Sequence, residues 1–270
     1  MKISIIIPVM NKLHYTDQCL KDLFETINEK AEVIIVDNDS KDGTKEYLSH
    51  LKRISVISND KNKGCAASWN QGIRKSRGEW IVILNNDVRL PSGWLDNLMH
   101  TAASKQVDVI SPGMREGVLD YDIAKYAKAY TKRMRNAFRY WTPSGVCFAV
   151  RQSVFEKVGL FDENVHIGQY EDADFFRRCK NAHFQMGITG ASFIHHFGST
   201  TQKHIQLNSD QDYSKRNKLY HRKKWKIGFI NRHYERYREQ LLVLYWSRME
   251  YFLYKHSLLE KVDCNKIRYF

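Results

Sequence analysis

The sequence predicts an α/β protein: a mostly parallel sheet flanked by helices, with a helical appendage at the C-terminus. Three observations predict it. Apolar runs at 3–9, 31–37, 54–58, 79–84 and 107–111 recur through the first 111 residues. The segments between them repeat apolar residues at helical spacing. Cys19, Leu20, Leu23, Phe24 and Ile27 do so between the first two runs, and Ala66, Trp69 and Ile73 between the third and fourth. Further on, Tyr234, Tyr237, Leu241, Tyr245, Met249, Phe252 and His256 recur at three- and four-residue steps, the mark of one long amphipathic helix. Strands alternating with helices over short connections imply parallel pairing through right-handed crossovers.

The first run, MKISIIIPV, is short, β-branched and stopped by Pro8. It lacks a small-residue cleavage site, so it reads as a first strand rather than a signal peptide. The second run closes as VIIVDNDS (33–40), and the third leads into NDKNKG (59–64), where Gly64 opens a helix. The fourth, WIVILNNDV (80–88), is unbroken, as strands buried on both faces are. Residues 112–141 are basic, tyrosine-rich and weakly patterned, and read as a partly helical insertion crossing the mouth of a site. A further αβ section covers 144–200. The segment after Ile205 is the appendage, whose apolar stripe packs on the main domain or makes a homodimer.

Bulk properties bound the partners. A chain of 270 residues with 43% hydrophobic content can build one large domain, or a domain plus an appendage. No stretch approaches the roughly 18 apolar residues of a transmembrane helix. The five cysteines are odd in number, scattered and without a CxxC pair. They read as reduced cytoplasmic thiols, without a disulfide framework or zinc site. The net charge is +13, and Lys203 to Phe270 carries 16 Lys/Arg against 7 Asp/Glu. Such a bias suits a polyanion, an acidic membrane face or a phosphorylated substrate, and equally an ordinary solvated surface.

The chemistry gathers at strand ends. An aspartate left unpaired inside a buried sheet costs several kcal/mol. Asp87 therefore sits at the carboxyl end of its strand, in the crevice where open α/β sheets bind ligands. There it holds a metal or a sugar hydroxyl, or caps the helix that follows Pro91-Ser92. Asp37, Asn38 and Asp39 occupy the same edge, and Gly64 suits either phosphate approach or simple capping. In GQYEDADFFRRC (168–179), Glu171, Asp172 and Asp174 crowd a helix start, as an acidic cap or as a poised general base. FIHHFGSTT (193–201) ends an apolar run with two imidazoles, a candidate ligand pair.

Together these features resemble the family 2 inverting nucleotide-sugar glycosyltransferases, which have the GT-A fold with its Rossmann-like sheet. The order-preserving match covers about residues 1–200. It runs through IIIPVMNK (5–12), VDNDSKDGT (36–44), NKGCAASWNQGI (62–73), GEWIVILNNDV (78–88), SGVCFAVRQSVFEKVGLFDE (144–163), YEDADFFRR (170–178) and HHFGST (195–200). The resemblance implies a catalytic domain over 1–204, with a nucleotide-binding half (1–111) and an acceptor and catalytic half (112–204), followed by the basic helical segment 205–270.

By the same resemblance, Asp37 contacts the nucleobase, Pro8 and Val9 line base and ribose, and Lys63 lies near the nucleotide. The family's DxD motif chelates a divalent cation, Mn2+ or Mg2+, that bridges the donor diphosphate. Asn85, Asn86 and Asp87 stand there, with an amide in the first acidic position, so the site has one charge fewer. His195 or His196 completes the metal site, with His195 favoured as the first of the pair. Asp172 matches the general base, and Glu171 and Asp174 orient the acceptor or tune the base. Gly145 allows the sugar to approach, and Trp141 stacks on an acceptor ring or belongs to the core.

The implied donor is UDP-, dTDP- or GDP-linked and the group moved is hexosyl or N-acetylhexosaminyl. The acceptor is a glycan, a lipid-linked sugar or a modified polymer, in bacterial or phage polysaccharide synthesis. The basic tail, interleaved with aromatics (217–240), suits nucleic acid or an anionic membrane, placing the chain in the cytoplasm or on the inner membrane face. The alternatives are a glycosyltransferase acting on modified DNA, or a degenerate transferase that serves as a polyanion-binding module.

Overall fold

The computed structural model describes residues 2–27, 31–165, 167–198, 213–263 and 266–269. Four parallel strands form its first half: β1 (Ile3–Val9), β2 (Ala31–Asp37), β3 (Ser55–Ser58) and β4 (Trp80–Leu84). Helices α1 (Leu13–Thr26), α2 (Thr44–Ser49) and α3 (Cys65–Lys75) connect them. Successive strand residues alternate between two apolar layers. Ile5, Ile7, Val82 and Leu84 join Leu20 and Leu23 of α1 on one face. Ile6, Ile34, Ile81 and Ile83 join Trp69 and Ile73 of α3 on the other. Both faces are covered, which is why the runs are continuous rather than alternating. Gly72 lets α3 approach closely, since a Cβ there would overlap Ile6 Cγ2.

A short β5 (Val88–Arg89) and helix α4 (Trp94–Lys105) follow, then β6 (Val109–Glu116), α5 (Ile123–Met134) and β7 (Phe138–Arg139). Next come β8 (Cys147–Arg151), α6 (Gln152–Val158), α7 (Glu171–Asn181) and β9 (Met186–His196). The fifth apolar run does not extend the parallel set directly. β8 lies between β4 and β6, antiparallel to both, so the sheet is mixed. β9 runs parallel to β6 and antiparallel to β5 and β7.

The C-terminal segment contains α8 (Tyr213–Lys224) and α9 (Phe229–Tyr254), then β10 (Leu259–Asp263) and β11 (Lys266–Tyr269). The segment is thus helical only in part. β10 pairs parallel to β6, and β11 completes an antiparallel hairpin at the sheet edge, giving the order β11-β10-β6-β8-β4-β1-β2-β3. A buried ion pair fixes this return: Arg139 Nη2 donates to both oxygens of Glu250 at 2.8 Å, and Ser257 Oγ and Leu258 N donate to Glu250 Oε2. Of the two roles expected for the stripe, packing on the main domain is not the one seen. Tyr234, Leu241 and Phe252 are 66%, 50% and 76% exposed. No helix among the described residues is long and apolar enough to cross a membrane.

Candidate active site

The carboxyl ends of β1, β2, β3 and β4 open onto one crevice edge. Asp37 ends β2 and is buried. Its Oδ1 accepts from Ser40 N at 3.0 Å, while Oδ2 is buried without a partner. A lone pair left unsatisfied there costs about 1–3 kcal/mol unless a ligand donates to it. An amide network shapes the adjacent wall: Asn38 Oδ1 accepts from Asn59 Nδ2 and Lys63 N, and Asn38 Nδ2 donates to Asn62 Oδ1. That network turns the 59–64 loop so that the Lys63 side chain is exposed, with no ion-pair partner among the described residues. Pro8 is half-buried, but the Val9 side chain belongs to the core.

β4 ends at Leu84, and the next three residues form the second part of the edge. Asn85 N donates to Val146 O at 2.9 Å and Asn86 Nδ2 to Thr16 Oγ1 at 2.9 Å. Asp87 is buried beside His196, with Nε2 3.3 Å from Oδ1. The register Val88↔His196 between β5 and β9 brings them together. Thus His196, not the favoured His195, meets Asp87. His195 points to the other face of β9, where Tyr121 Oη lies 2.9 Å from its Nδ1 and its Nε2 is buried without a partner.

The two imidazoles are electrostatic opposites. Burial pushes His195 down to about 4. Burial opposes charge on His196 too, but the Asp87 and Glu116 carboxylates outweigh it and raise the ring to about 9. Glu116 Oε2 sits 3.2 Å from His196 Nδ1 and its other oxygen accepts from Lys261 at 2.6 Å. A carboxylate behind a histidine fixes ring orientation and raises ligand basicity. The sequence gives no sign of Glu116, because only the β6–β9 pairing sets Glu116 opposite His196.

Among the described residues no group of three His, Cys, Asp or Glu gathers as a metal cage. Asp87 and His196 nevertheless offer an oxygen and a nitrogen side by side, with the Asn85 amide close in sequence. This donor set fits a divalent cation that displaces the ring proton, since an imidazolium has no lone pair to donate.

The third part of the site is the start of α7. Three left-handed residues within four positions precede it, with φ of 60° at Ile167, 74° at Gln169 and 77° at Tyr170. Non-glycine residues in the left-handed region, a β-branched one above all, store strain and cluster where a side chain must be aimed. The aimed side chain is Asp172. Its Oδ1 accepts from Ala173 N at 2.8 Å, and Oδ2 lies against Gly145, where any Cβ would collide with it. Gly145 therefore makes room for the Asp172 carboxylate. Trp141 is half-buried in the loop leading to it.

The neighbouring acids sit behind this site. Glu171 is 4% exposed and lies against Cys65, with Oε2 unpartnered. Burial first, and the charge of Asp172 second, raise it to about 8. Asp172 is raised by burial, with the Ala173 amide opposing. Asp174 does not face the crevice mouth. It is buried and engaged by Arg178 at 2.9 Å, Lys224 at 2.7 Å and Trp225 Nε1 at 2.9 Å. It anchors α8 to α7.

The chain is similar to known proteins. A family model described as "Glycosyl transferase family 2" matches residues 4–159. Glycosyltransferase AglE of Haloferax volcanii is 25% identical over 222 residues, covering 77% of this chain and 72% of that protein. TarS 1–349 of S. aureus, solved in complex with UDP-GlcNAc, superposes with a TM-score of 0.57 at 17% identity, covering 73% of this chain and 58% of that one. Mannosyltransferase PcManGT of Pyrobaculum calidifontis, solved with GDP-Man and Mn2+, gives 0.55 at 18% identity, covering 72% of this chain and 56% of that one. This chain spans a little over half of each of those two solved chains, and the likeness establishes the GT-A fold.

Proposed function

The chain belongs to glycosyl transferase family 2, and from that premise we propose that it moves a hexosyl or N-acetylhexosaminyl group from a nucleoside-diphosphate sugar to an acceptor hydroxyl, inverting the anomeric carbon. One observation carries the reading. Asp172 lies against Gly145, and the next residue, Val146, accepts a hydrogen bond from Asn85, so the base and the donor loop meet across two residues.

In this reading the unpartnered Asp37 oxygen receives a nucleobase N–H, with Pro8 and Lys63 beside the nucleotide. Asn85, Asn86 and Asp87 face the diphosphate. A divalent cation, Mn2+ or Mg2+, held by Asp87 and His196, would neutralise charge developing on the leaving diphosphate. The Asp172 carboxylate takes the proton of the acceptor O–H. That oxygen bonds to the anomeric carbon as the bond to the diphosphate oxygen breaks, and the electron pair leaves with the nucleoside diphosphate. Burial raises both carboxyl groups, Glu171 to about 8, and this reading gives Asp172 the part of the ionised member. Environments that push two carboxyl groups apart are how one of them becomes a base. The acceptor is a hydroxyl of a growing glycan, free or lipid-linked, and Trp141 stacks on its ring.

A turnover assay across UDP-, GDP- and dTDP-linked sugars, with and without Mn2+, tests this. One donor is consumed by the wild type in a metal-dependent way, and Asp87→Asn lowers its affinity for Mn2+ at least tenfold. Turnover of no donor under any metal condition would sink the reading.

A further inference from the structure

We propose that the outward face of α9 docks on the surface of an anionic lipid bilayer. α9 has 26 residues and is roughly 39 Å long. Ile230, Tyr234, Tyr237, Leu241, Leu244 and Phe252 lie in one line along it, and their exposure runs from 46% at Leu244 to 81% at Ile230. An apolar stripe of that length is larger than the scattered exposed side chains of an ordinary surface. The opposite side is fastened: Ser247 and Glu250 are buried, and Glu235 reaches Arg177 of α7 at 3.8 Å.

The acids of the same helix avoid the stripe, while Arg232 and Arg236 share their side. At about 100° per residue, Glu235, Glu239 and Glu250 all fall on the side away from the stripe. Arg248 falls on the stripe's own line and Arg238 on its border. Lys255 Nζ lies over the rings of Tyr251 and Phe252, at 5.7 and 5.9 Å. α8, just before, carries six Lys/Arg and no acid, and its Arg216, Lys218 and Lys223 are exposed. The face thus offers rings and aliphatic chains interleaved with cations only.

This pattern selects among occupants. A second copy on the stripe would seat Arg248 and Arg238 in an apolar seam with no acid on that face to pair them, a costly burial. A nucleic acid would find phosphate contacts and the rings of Tyr234, Tyr237 and Phe252, but would leave the aliphatic Ile230, Leu241 and Leu244, on which no base stacks, in water. An anionic headgroup layer satisfies both halves. The apolar line enters the acyl boundary, tyrosine hydroxyls stay at headgroup level, and the arginines snorkel to the phosphates. Because α9 is not apolar enough to span, it lies in the plane of the surface. The docking is independent of the chemistry at Asp172.

Co-sedimentation of the full chain with vesicles tests it, using phosphatidylcholine alone and an equimolar mixture with phosphatidylglycerol. The chain is expected to sediment with the mixture, to remain in solution with phosphatidylcholine alone, and to be released as salt rises to about 0.5 M. Leu241→Glu combined with Tyr245→Glu is expected to lower partitioning on the order of 100-fold. Arg238→Gln with Arg248→Gln is expected to lower it about 30-fold. Thermal unfolding of both variants stays at the wild-type value, since these four side chains point to solvent. No sedimentation at low salt, or equal sedimentation of the glutamate variant, overturns the proposal. So does a concentration-dependent dimer, or a DNA complex, that the glutamate variant abolishes while the wild type ignores the vesicles.

Discussion

Replacing Gly145 with alanine should disable the reaction without disturbing the fold. The backbone at Gly145 lies outside the left-handed region, so alanine is tolerated there. Its Cβ, however, would lie 2.9 Å from Asp172 Cγ and closer still to Oδ2. Carbon atoms sit comfortably at about 3.5–4.0 Å, so the carboxyl group must retreat by roughly 1 Å. The yielding group is the end of one half-buried side chain rather than backbone, which keeps the stability change below about 1 kcal/mol. A misplacement of about 1 Å at a reacting group costs on the order of 100-fold in rate. Steady-state kinetics with the identified donor would therefore show kcat falling on the order of 100-fold, with donor affinity from calorimetry unchanged. An alanine variant with wild-type kcat would refute the placement of Asp172 as the base. A parallel loss of donor affinity would show that Gly145 serves the donor instead.

Three further outcomes follow from other parts of the molecule. Asp37→Ala removes the unpartnered acceptor of the crevice and should weaken nucleoside-diphosphate binding by about 1–3 kcal/mol in calorimetry, against no change if Asp37 is merely structural. Glu171 keeps its proton up to about 8 in the folded chain, whereas the ordinary value is 4.5. Between those values the folded state binds the extra proton, so unfolding free energy falls as pH rises. Glu171→Gln should reduce that slope, leaving the part due to Asp172, and raise stability at the alkaline end; an unaltered slope in urea titrations would count against a buried neutral Glu171. Arg139→Met strands the Glu250 carboxylate inside the sheet edge and should cost about 3–5 kcal/mol of stability, read from denaturant unfolding. A loss well below that would mean the C-terminal return is held by the hairpin alone.

The strands of the first half were legible because burial on both faces writes continuous apolar runs, and each polar cluster marks where a run leaves the core. Asp37 and Asp87 stood out for that reason, and Asp172 because three acids crowd the start of a helix. Pairing decisions were not legible. His195 and His196 are adjacent on one strand and face opposite ways, so the register of β9 on β5, not composition, selects His196 for Asp87. Glu116 reaches the site by the β6–β9 register in the same way. Asp174 carries the residue type of a site acid, but Lys224 and Trp225 claim it through a contact 50 residues away. β10 and β11 are too short and too charged to announce themselves, and join the sheet because β6 has an open edge. The helix itself and the three- and four-residue spacing of its stripe were legible. Periodicity, though, cannot say whether such a face meets protein or solvent.

The most direct test is single-turnover transfer by Asp172→Asn beside the wild type, with donor and Mn2+ binding measured on the same samples. The predicted result is a loss of about 10²–10⁴-fold in the transfer rate with unchanged donor affinity, because asparagine keeps the shape and cannot take the proton. A variant that transfers sugar at the wild-type rate would contradict the account at its centre.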